Sequence, residues 1–216
     1  YSGLRCIELR RCPLDTKEAL EILRQNPVVQ ALKQEFSVPY RNVFVAIMAL
    51  HPEDPTRILV VDYKPNWQDK PLAAVHIKFP GGTGSVDDDT PFHTLTREGR
   101  EELTGGTPGA LIEGISPVCK EVKSTRSASE TDHVRYGVVV QTTAIILPYT
   151  VREGRHVDER GRVTDEEISN HRYLDVGELA RVIFPTHRGF LRALCKILAP
   201  HIPEYGWTLQ DLDRVG

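Results

Sequence analysis

Apolar residues run unbroken from Val43 to Leu50 inside RNVFVAIMAL (Arg41–Leu50), the pattern of a strand buried on both faces. His51–Thr56 carries Pro52 and Pro55 and reads as a turn, and Arg57–Tyr63 (RILVVDY) returns as a second strand. Lys64–Lys70, with Trp67, reads as a loop. Ala73–Phe79 (AAVHIKF) is a third strand that delivers the chain to Pro80-Gly81-Gly82. A helix is predicted over Pro91–Leu103, with Thr90 as N-cap, Pro91 at the first helical position and Gly105-Gly106 as the stop. Beyond it, Gly109–Ser116 and Val118–Val122 read as two short strands, and Val134–Leu147 as the strongest strand of the second half. The charged stretch Arg152–Asp165 reads as a surface loop, and Ile168–Asp175 as the last strand. Val176–Ile183 is a short helix. Thr186–Leu198 is amphipathic, with Phe190, Leu191, Leu194, Cys195 and Leu198 on one side.

Ahead of this pattern, CIELRRC within Tyr1–Pro13 alternates like a short edge strand. Asp15 or Thr16 caps a helix over Lys17–Gln25, Asn26-Pro27 breaks it, and Val28–Phe36 forms a second helical piece. This partly helical N-terminal extension, residues 1–40, packs on the main domain or contributes to a homodimer; the sequence leaves both open. Residues 41–200 are expected to form one α/β domain, a mixed sheet sandwiched between helices in an α/β/α arrangement, followed by a C-terminal tail at 201–216.

Composition narrows the partners. Net charge is −3, no electrostatic footprint for nucleic acid, although a nucleotide-sized ligand remains compatible. The run Val43–Leu50 is far too short to span a bilayer, and no signal peptide is visible. Cys6, Cys12, Cys119 and Cys195 are scattered without a CxxC, which argues against zinc and a disulfide framework. Reduced thiols in a cytoplasmic protein are the expectation.

The chemistry concentrates between Phe79 and Gly106. Glu98, Glu101 and Glu102 stand at i, i+3 and i+4, so a regular helix puts three repelling carboxylates on one face. A hard divalent cation turns that repulsion into attraction. Asp87, Asp88 and Asp89 sit near the positive end of the helix dipole. Taken alone, three such carboxylates are more often a solvated face.

The segment Gly82–Gly105 resembles the box of the Nudix hydrolase family, G-x5-E-x7-R-E-U-x-E-E-x-G-U with U apolar. REGREE (Arg97–Glu102) matches its most diagnostic part, and Asp89 falls where the early Glu belongs. Thr83, Asp89, Gly99 and Thr104 depart from the pattern, while the carboxylates are retained. The resemblance implies a Nudix-like fold and Mg²⁺- or Mn²⁺-dependent hydrolysis of a diphosphate linkage in a small nucleoside-diphosphate-linked substrate, such as ADP-ribose or a nucleotide sugar. It implies Glu101 and Glu102 as principal metal ligands, with Glu98 as a ligand or orienting a water. It makes Arg97 the fixer of these carboxylates, and Gly81 and Gly82 the close-approach turn, with the Gly82 carbonyl as an extra ligand. Asp89 is expected to be structural. A later loop often supplies a base in this family, which points to Glu166 and Glu167. Trp67 and Tyr63 could stack on a base or be partly buried aromatics. Lys120, Lys123, Arg126 and Arg135 could line a phosphate rim or be solvated charges. The family's substrate markers are not matched: Pro117 falls twelve residues after Gly105, and no tyrosine lies between Gly105 and Tyr136. Some family members bind without turnover, so a ligand- or partner-binding module is the alternative reading.

Overall fold

The computed structural model describes residues 14–39, 42–67, 75–123, 133–157 and 163–215. The predicted strand at Tyr1–Pro13, Cys6, Cys12 and Arg126 lie outside them. Helices α1 (Thr16–Gln25) and α2 (Pro27–Glu35) precede strands β1 (Val43–His51), β2 (Asp54–Trp67) and β3 (His76–Lys78). Helix α3 (Pro91–Glu98) follows, continued by a π-helical turn at Gly99–Thr104. Then come β4 (Ile112–Lys123), β5 (His133–Thr142), β6 (Val151–Val157), β7 (Val163–Asp175), α4 (Val176–Val182), a 3₁₀ turn at Pro185–His187, α5 (Arg188–Leu198) and α6 (Pro203–Val215).

The strands form one sheet in the order β4-β5-β1-β2-β7-β6, with β3 also paired to β2. β1 and β5 run parallel and the other pairs antiparallel, so the sheet is mixed. β1 shows why its sequence is apolar throughout. Ala46, Met48 and Leu50 join a core with Leu20 and Leu23 of α1, Leu179 of α4, Phe190 and Leu194 of α5 and Tyr205 of α6. Val43, Val45, Ile47 and Ala49 point the other way and join Leu95 of α3, Leu103, Tyr136 and Val138. A strand with a core on each face needs both its odd and its even positions apolar. Among the described residues, no helix is long and apolar enough to cross a membrane.

Several elements differ from the sequence expectation. The segment 201–216 is not a tail: α6 buries Tyr205 and Leu212, and the Tyr205 hydroxyl donates to the Pro55 carbonyl at 2.6 Å. The loop expected at Lys64–Lys70 is strand as far as Trp67, and the surface loop expected at Arg152–Asp165 contributes β6 and the start of β7. These charged segments pair through their backbones, Arg152 opposite Glu167 and Lys64 opposite Glu167. The two strands expected across Gly109–Val122 are one, β4, interrupted by irregular pairing at Glu113/Ser116 and Pro117/Cys119. The N-terminal helices are placed by their caps. Asp15 forms a capping box with Glu18, and Asn26 accepts from the Val28 N–H with Pro27 starting α2.

Candidate active site

The turn after β3 lies along β1. β2 pairs with β1 only near Leu50 and His51. The rest of that edge is taken by the turn: Ile47 N–H donates to the Pro80 carbonyl at 2.8 Å, Val45 N–H to that of Gly82 at 3.0 Å, and Gly84 N–H to that of Val43 at 2.7 Å. Gly81 has φ +121°, and a Cβ there would stand 2.0 Å from the Val45 carbonyl oxygen, so only glycine fits this approach. At Gly82 a Cβ would meet the Glu98 carboxylate at 2.6 to 2.7 Å.

α3 starts at Pro91, with the Thr90 hydroxyl accepting from the His93 N–H, and ends where Gly99 passes Ile112. A Cβ on Gly99 would lie 2.3 Å from Ile112 Cδ1, so the departure from an aliphatic residue lets the helix close onto β4. The regular helix predicted to Leu103 instead becomes a π turn, which spreads Glu101 and Glu102 differently from the i, i+3, i+4 face expected of an α-helix.

Arg97 organises the carboxylates. Its guanidinium meets Asp88 through Nε at 3.1 Å and Nη2 at 3.0 Å, Glu98 Oε1 through Nη2 at 2.8 Å, Glu101 through Nη1 at 3.1 Å, and the Thr83 carbonyl at 2.8 Å. Burial disfavours its charge, but the Asp88 hydrogen bond and the fields of Glu98 and Asp88 outweigh that and hold its pKa above the ordinary value. Burial likewise works against Asp88, yet Arg97 and the Ser85 N–H hold its carboxyl below the usual range. Asp88, rather than Asp89, is therefore the early acidic partner of Arg97. Asp89 is 81% exposed, with His93 Nδ1 4.0 Å away.

Glu98 and Glu102 are 3% and 2% exposed, and Glu101 is 41% exposed. Glu102 Oε2 accepts the Gly81 N–H at 2.6 Å, and its Oε1 lies 3.6 Å from Lys78 Nζ. A cleft of about 720 Å³ opens here. It is lined by Gly81, Gly82, Arg97, Glu98, Glu101 and Glu102 together with Phe44, Tyr63, Lys78, Arg135, Phe184 and His187. Arg135 is buried in β5, where Nη1 meets Glu121 at 3.0 Å and Nη2 donates to the Thr186 carbonyl at 3.0 Å. It is thus a cleft residue and not a solvated charge. His187 Nδ1 accepts the Phe79 N–H at 3.2 Å, and burial, then Lys78 and Arg135, push its pKa down to about 3.

The donor set suits a hard cation: three carboxylates line one cleft beside the Gly82 peptide. Asp88, Glu98 and Glu101 ion-pair with Arg97 and Glu102 with Lys78, so four carboxylates share two cations here, a negative charge that a divalent ion would offset. In the arrangement observed, however, Arg97 and the Gly81 N–H hold these carboxylates. Among the described residues, no three His, Cys, Asp or Glu side chains converge on one point. The Gly82 carbonyl already accepts the Val45 N–H, leaving one lone pair for a ligand.

Other predicted residues are not brought to the cleft. Glu167 lies within β7 opposite Lys64 rather than in a loop, and is not among the residues that line the cleft. The Trp67 backbone pairs with Thr164, and its side chain is outside the described residues. Lys120 ion-pairs with Glu35 of α2. Lys78 and His187 escaped the sequence reading. Lys78 looked like the polar position of an alternating strand, and His187 reaches Phe79 across 108 residues.

No family model and no curated protein matches this sequence. Among solved structures the chain is similar to a UDP-X diphosphatase at 14% identity and TM-score 0.43, covering 87% of this chain and 73% of that one. It is also similar to RenU, a Nudix hydrolase from M. Smegmatis, at 12% identity and TM-score 0.44, covering 74% of this chain and 86% of that one. At that distance neither carries an argument about what this chain does.

Proposed function

We propose that this protein hydrolyses a diphosphate linkage in a nucleoside-diphosphate-linked substrate, using a bound Mg²⁺ or Mn²⁺. The observation that carries the reading is the single cleft joining the Gly81-Gly82 turn to Glu98, Glu101 and Glu102, the same residues that give the sequence its resemblance to the Nudix box. Glu98, Glu101 and Glu102 would hold the cation, which supplies charge neutralisation and water activation when bound. Arg97 fixes the carboxylates through its fork of donors and ties them to Asp88. The Gly81 N–H orients Glu102, and the bare Gly82 backbone lets a phosphate approach closely.

The test is a panel of diphosphate substrates with Mg²⁺ and with Mn²⁺, run on the wild type, Glu101→Gln and Glu102→Gln. Metal-dependent turnover that drops at least about a hundredfold in Glu102→Gln supports the reading. Turnover that persists unchanged in both variants contradicts the ligand assignment. A second reading, a module that binds a diphosphate or a partner without turnover, is favoured by one observation: Arg97 and the Gly81 N–H hold the carboxylates apart from a common point. Diphosphate binding with no turnover on any substrate and no Mn²⁺ affinity selects it.

A further inference from the structure

Two donors remain in the cleft once the carboxylates are accounted for. Lys78 ends β3 with its side chain only 12% exposed. Its ammonium has three protons to donate; it bonds the Gly81 carbonyl at 3.4 Å, the long limit of a hydrogen bond, and ion-pairs with Glu102 Oε1 at 3.6 Å. Its Nζ lies 4.5 Å from the centre of the Tyr63 ring, which holds the head at the cleft wall. His187 is 3% exposed and lines the same cleft. Because its Nδ1 accepts the Phe79 N–H, the neutral ring carries its proton on Nε2. His187 lines the cleft, and among the described residues no acceptor is bonded to that Nε2–H.

The remaining cations of the cleft are engaged. Arg97 is held by Asp88, Glu98, Glu101 and the Thr83 carbonyl. Arg135 is held by Glu121 and by the Thr186 carbonyl, and the second bond fastens the turn that carries His187. Burial, then Lys78 and Arg135, disfavour a proton on His187, so the imidazole remains a neutral donor. An ammonium with spare donors beside a neutral N–H suits a group with several anionic oxygens. An uncharged carbonyl would satisfy His187 but make no use of the ammonium's charge, which Glu102 meets only at 3.6 Å.

We propose that Lys78 and His187 form an anion subsite that takes the non-bridging oxygens of one phosphoryl group of a diphosphate, in the cleft that the carboxylates also line. This rests on the diphosphate reading and adds to it the residues that grip the phosphoryl group.

The probe is methylenediphosphonate, which has a diphosphate's oxygens and no cleavable bridge. Its binding is measured by calorimetry without metal and with Mn²⁺, on the wild type, Lys78→Met, Lys78→Arg and His187→Asn. The asparagine amide oxygen stands where Nδ1 does, so the Phe79 N–H keeps an acceptor while the Nε2–H is removed. Binding by the wild type, weakened at least tenfold in Lys78→Met and in His187→Asn and partly recovered in Lys78→Arg, is the expected result. Mn²⁺ affinity, read by electron paramagnetic resonance, stays unchanged in His187→Asn. No wild-type binding under either condition, or undiminished binding in both variants, overturns the subsite. Should a variant fail to fold, the wild-type His187 Nε2–H resonance decides: a shift at saturating diphosphonate supports the contact, and no shift refutes it. If Mn²⁺ binding and turnover are found while both variants bind the probe normally, the subsite fails and the hydrolase reading stands. If turnover is absent while binding depends on Lys78 and His187, the hydrolase reading fails and the subsite stands.

Discussion

His171 Nε2 lies 2.7 Å from the carbonyl oxygen of Glu102, joining β7 to the backbone of the π turn. The same ring stacks on Tyr149 with centroids 4.0 Å apart, and the Tyr149 hydroxyl donates to the Glu101 carbonyl at 2.9 Å. A helix end leaves carbonyls without intrahelical partners, and here two distant residues take them up. Gly106 makes room: a Cβ on it would lie 2.1 Å from Tyr149 Cγ. The glycine pair that reads in sequence as a helix stop therefore also seats the ring that holds the turn.

Tyr149→Phe keeps the stack and removes only the hydroxyl. It is expected to lower stability by about 1 kcal/mol, the worth of one hydrogen bond, in urea unfolding. Turnover is expected to fall further than stability alone explains, because the Glu101 backbone loses its tether.

Gly81→Ala puts a Cβ against the Val45 carbonyl in a left-handed conformation, and is expected to cost at least about 1–3 kcal/mol. Gly82→Ala meets a movable carboxylate instead of backbone. It is expected to leave the melting temperature nearer the wild-type value and to weaken Mn²⁺ binding by displacing Glu98. Equal losses of stability in the two variants would refute this division.

Arg97→Lys keeps the charge and loses the fork that spans Asp88, Glu98 and Glu101. A loss of about 1–3 kcal/mol is expected from the charge-assisted bonds left unmade. Asp88→Asn should reproduce part of it, and Asp89→Asn should not, since Asp89 does not meet Arg97.

Acid sensitivity should trace to His187. The unfolded chain takes up a proton near the ordinary value of 6.5, and the folded ring only near about 3. Between these values the unfolded state binds more protons, so stability is fully present above pH 6.5 and is lost as pH falls. In mid-window the slope approaches about 1.4 kcal/mol per pH unit. Urea midpoints at descending pH should fall less steeply in His187→Asn than in the wild type; identical slopes would exclude His187 as the source.

The strands and helices legible in the sequence are those whose burial writes a pattern. β1 has a core on each face, and α5 buries one side, Phe190, Leu191, Leu194, Cys195 and Leu198. β6 and the first half of β7 are highly charged, and their pairing runs through backbone groups that leave no side-chain signature. The chain from 201 on reads in sequence as a tail because its buried stripe, Ile202, Tyr205, Thr208 and Leu212, is short and holds a polar threonine. Tyr205 and Leu212 acquire their meaning only from the core they join.

The sequence by itself determined the local pieces: a helix start at Asp15 or Thr16, the break at Asn26-Pro27, the cap at Thr90, the glycine turn, and a helix bearing Arg97, Glu98, Glu101 and Glu102. These follow from spacing and backbone chemistry within a few residues. Tertiary structure alone decided that Asp88 and not Asp89 meets Arg97, that the helix ends as a π turn held by Tyr149 and His171, and that His187 bonds the Phe79 N–H and lines one cleft with Lys78. The reason is physical. Those partners are up to 108 residues apart, and only the sheet order and the closure of α5 onto β1 and β5 bring them within hydrogen-bonding distance.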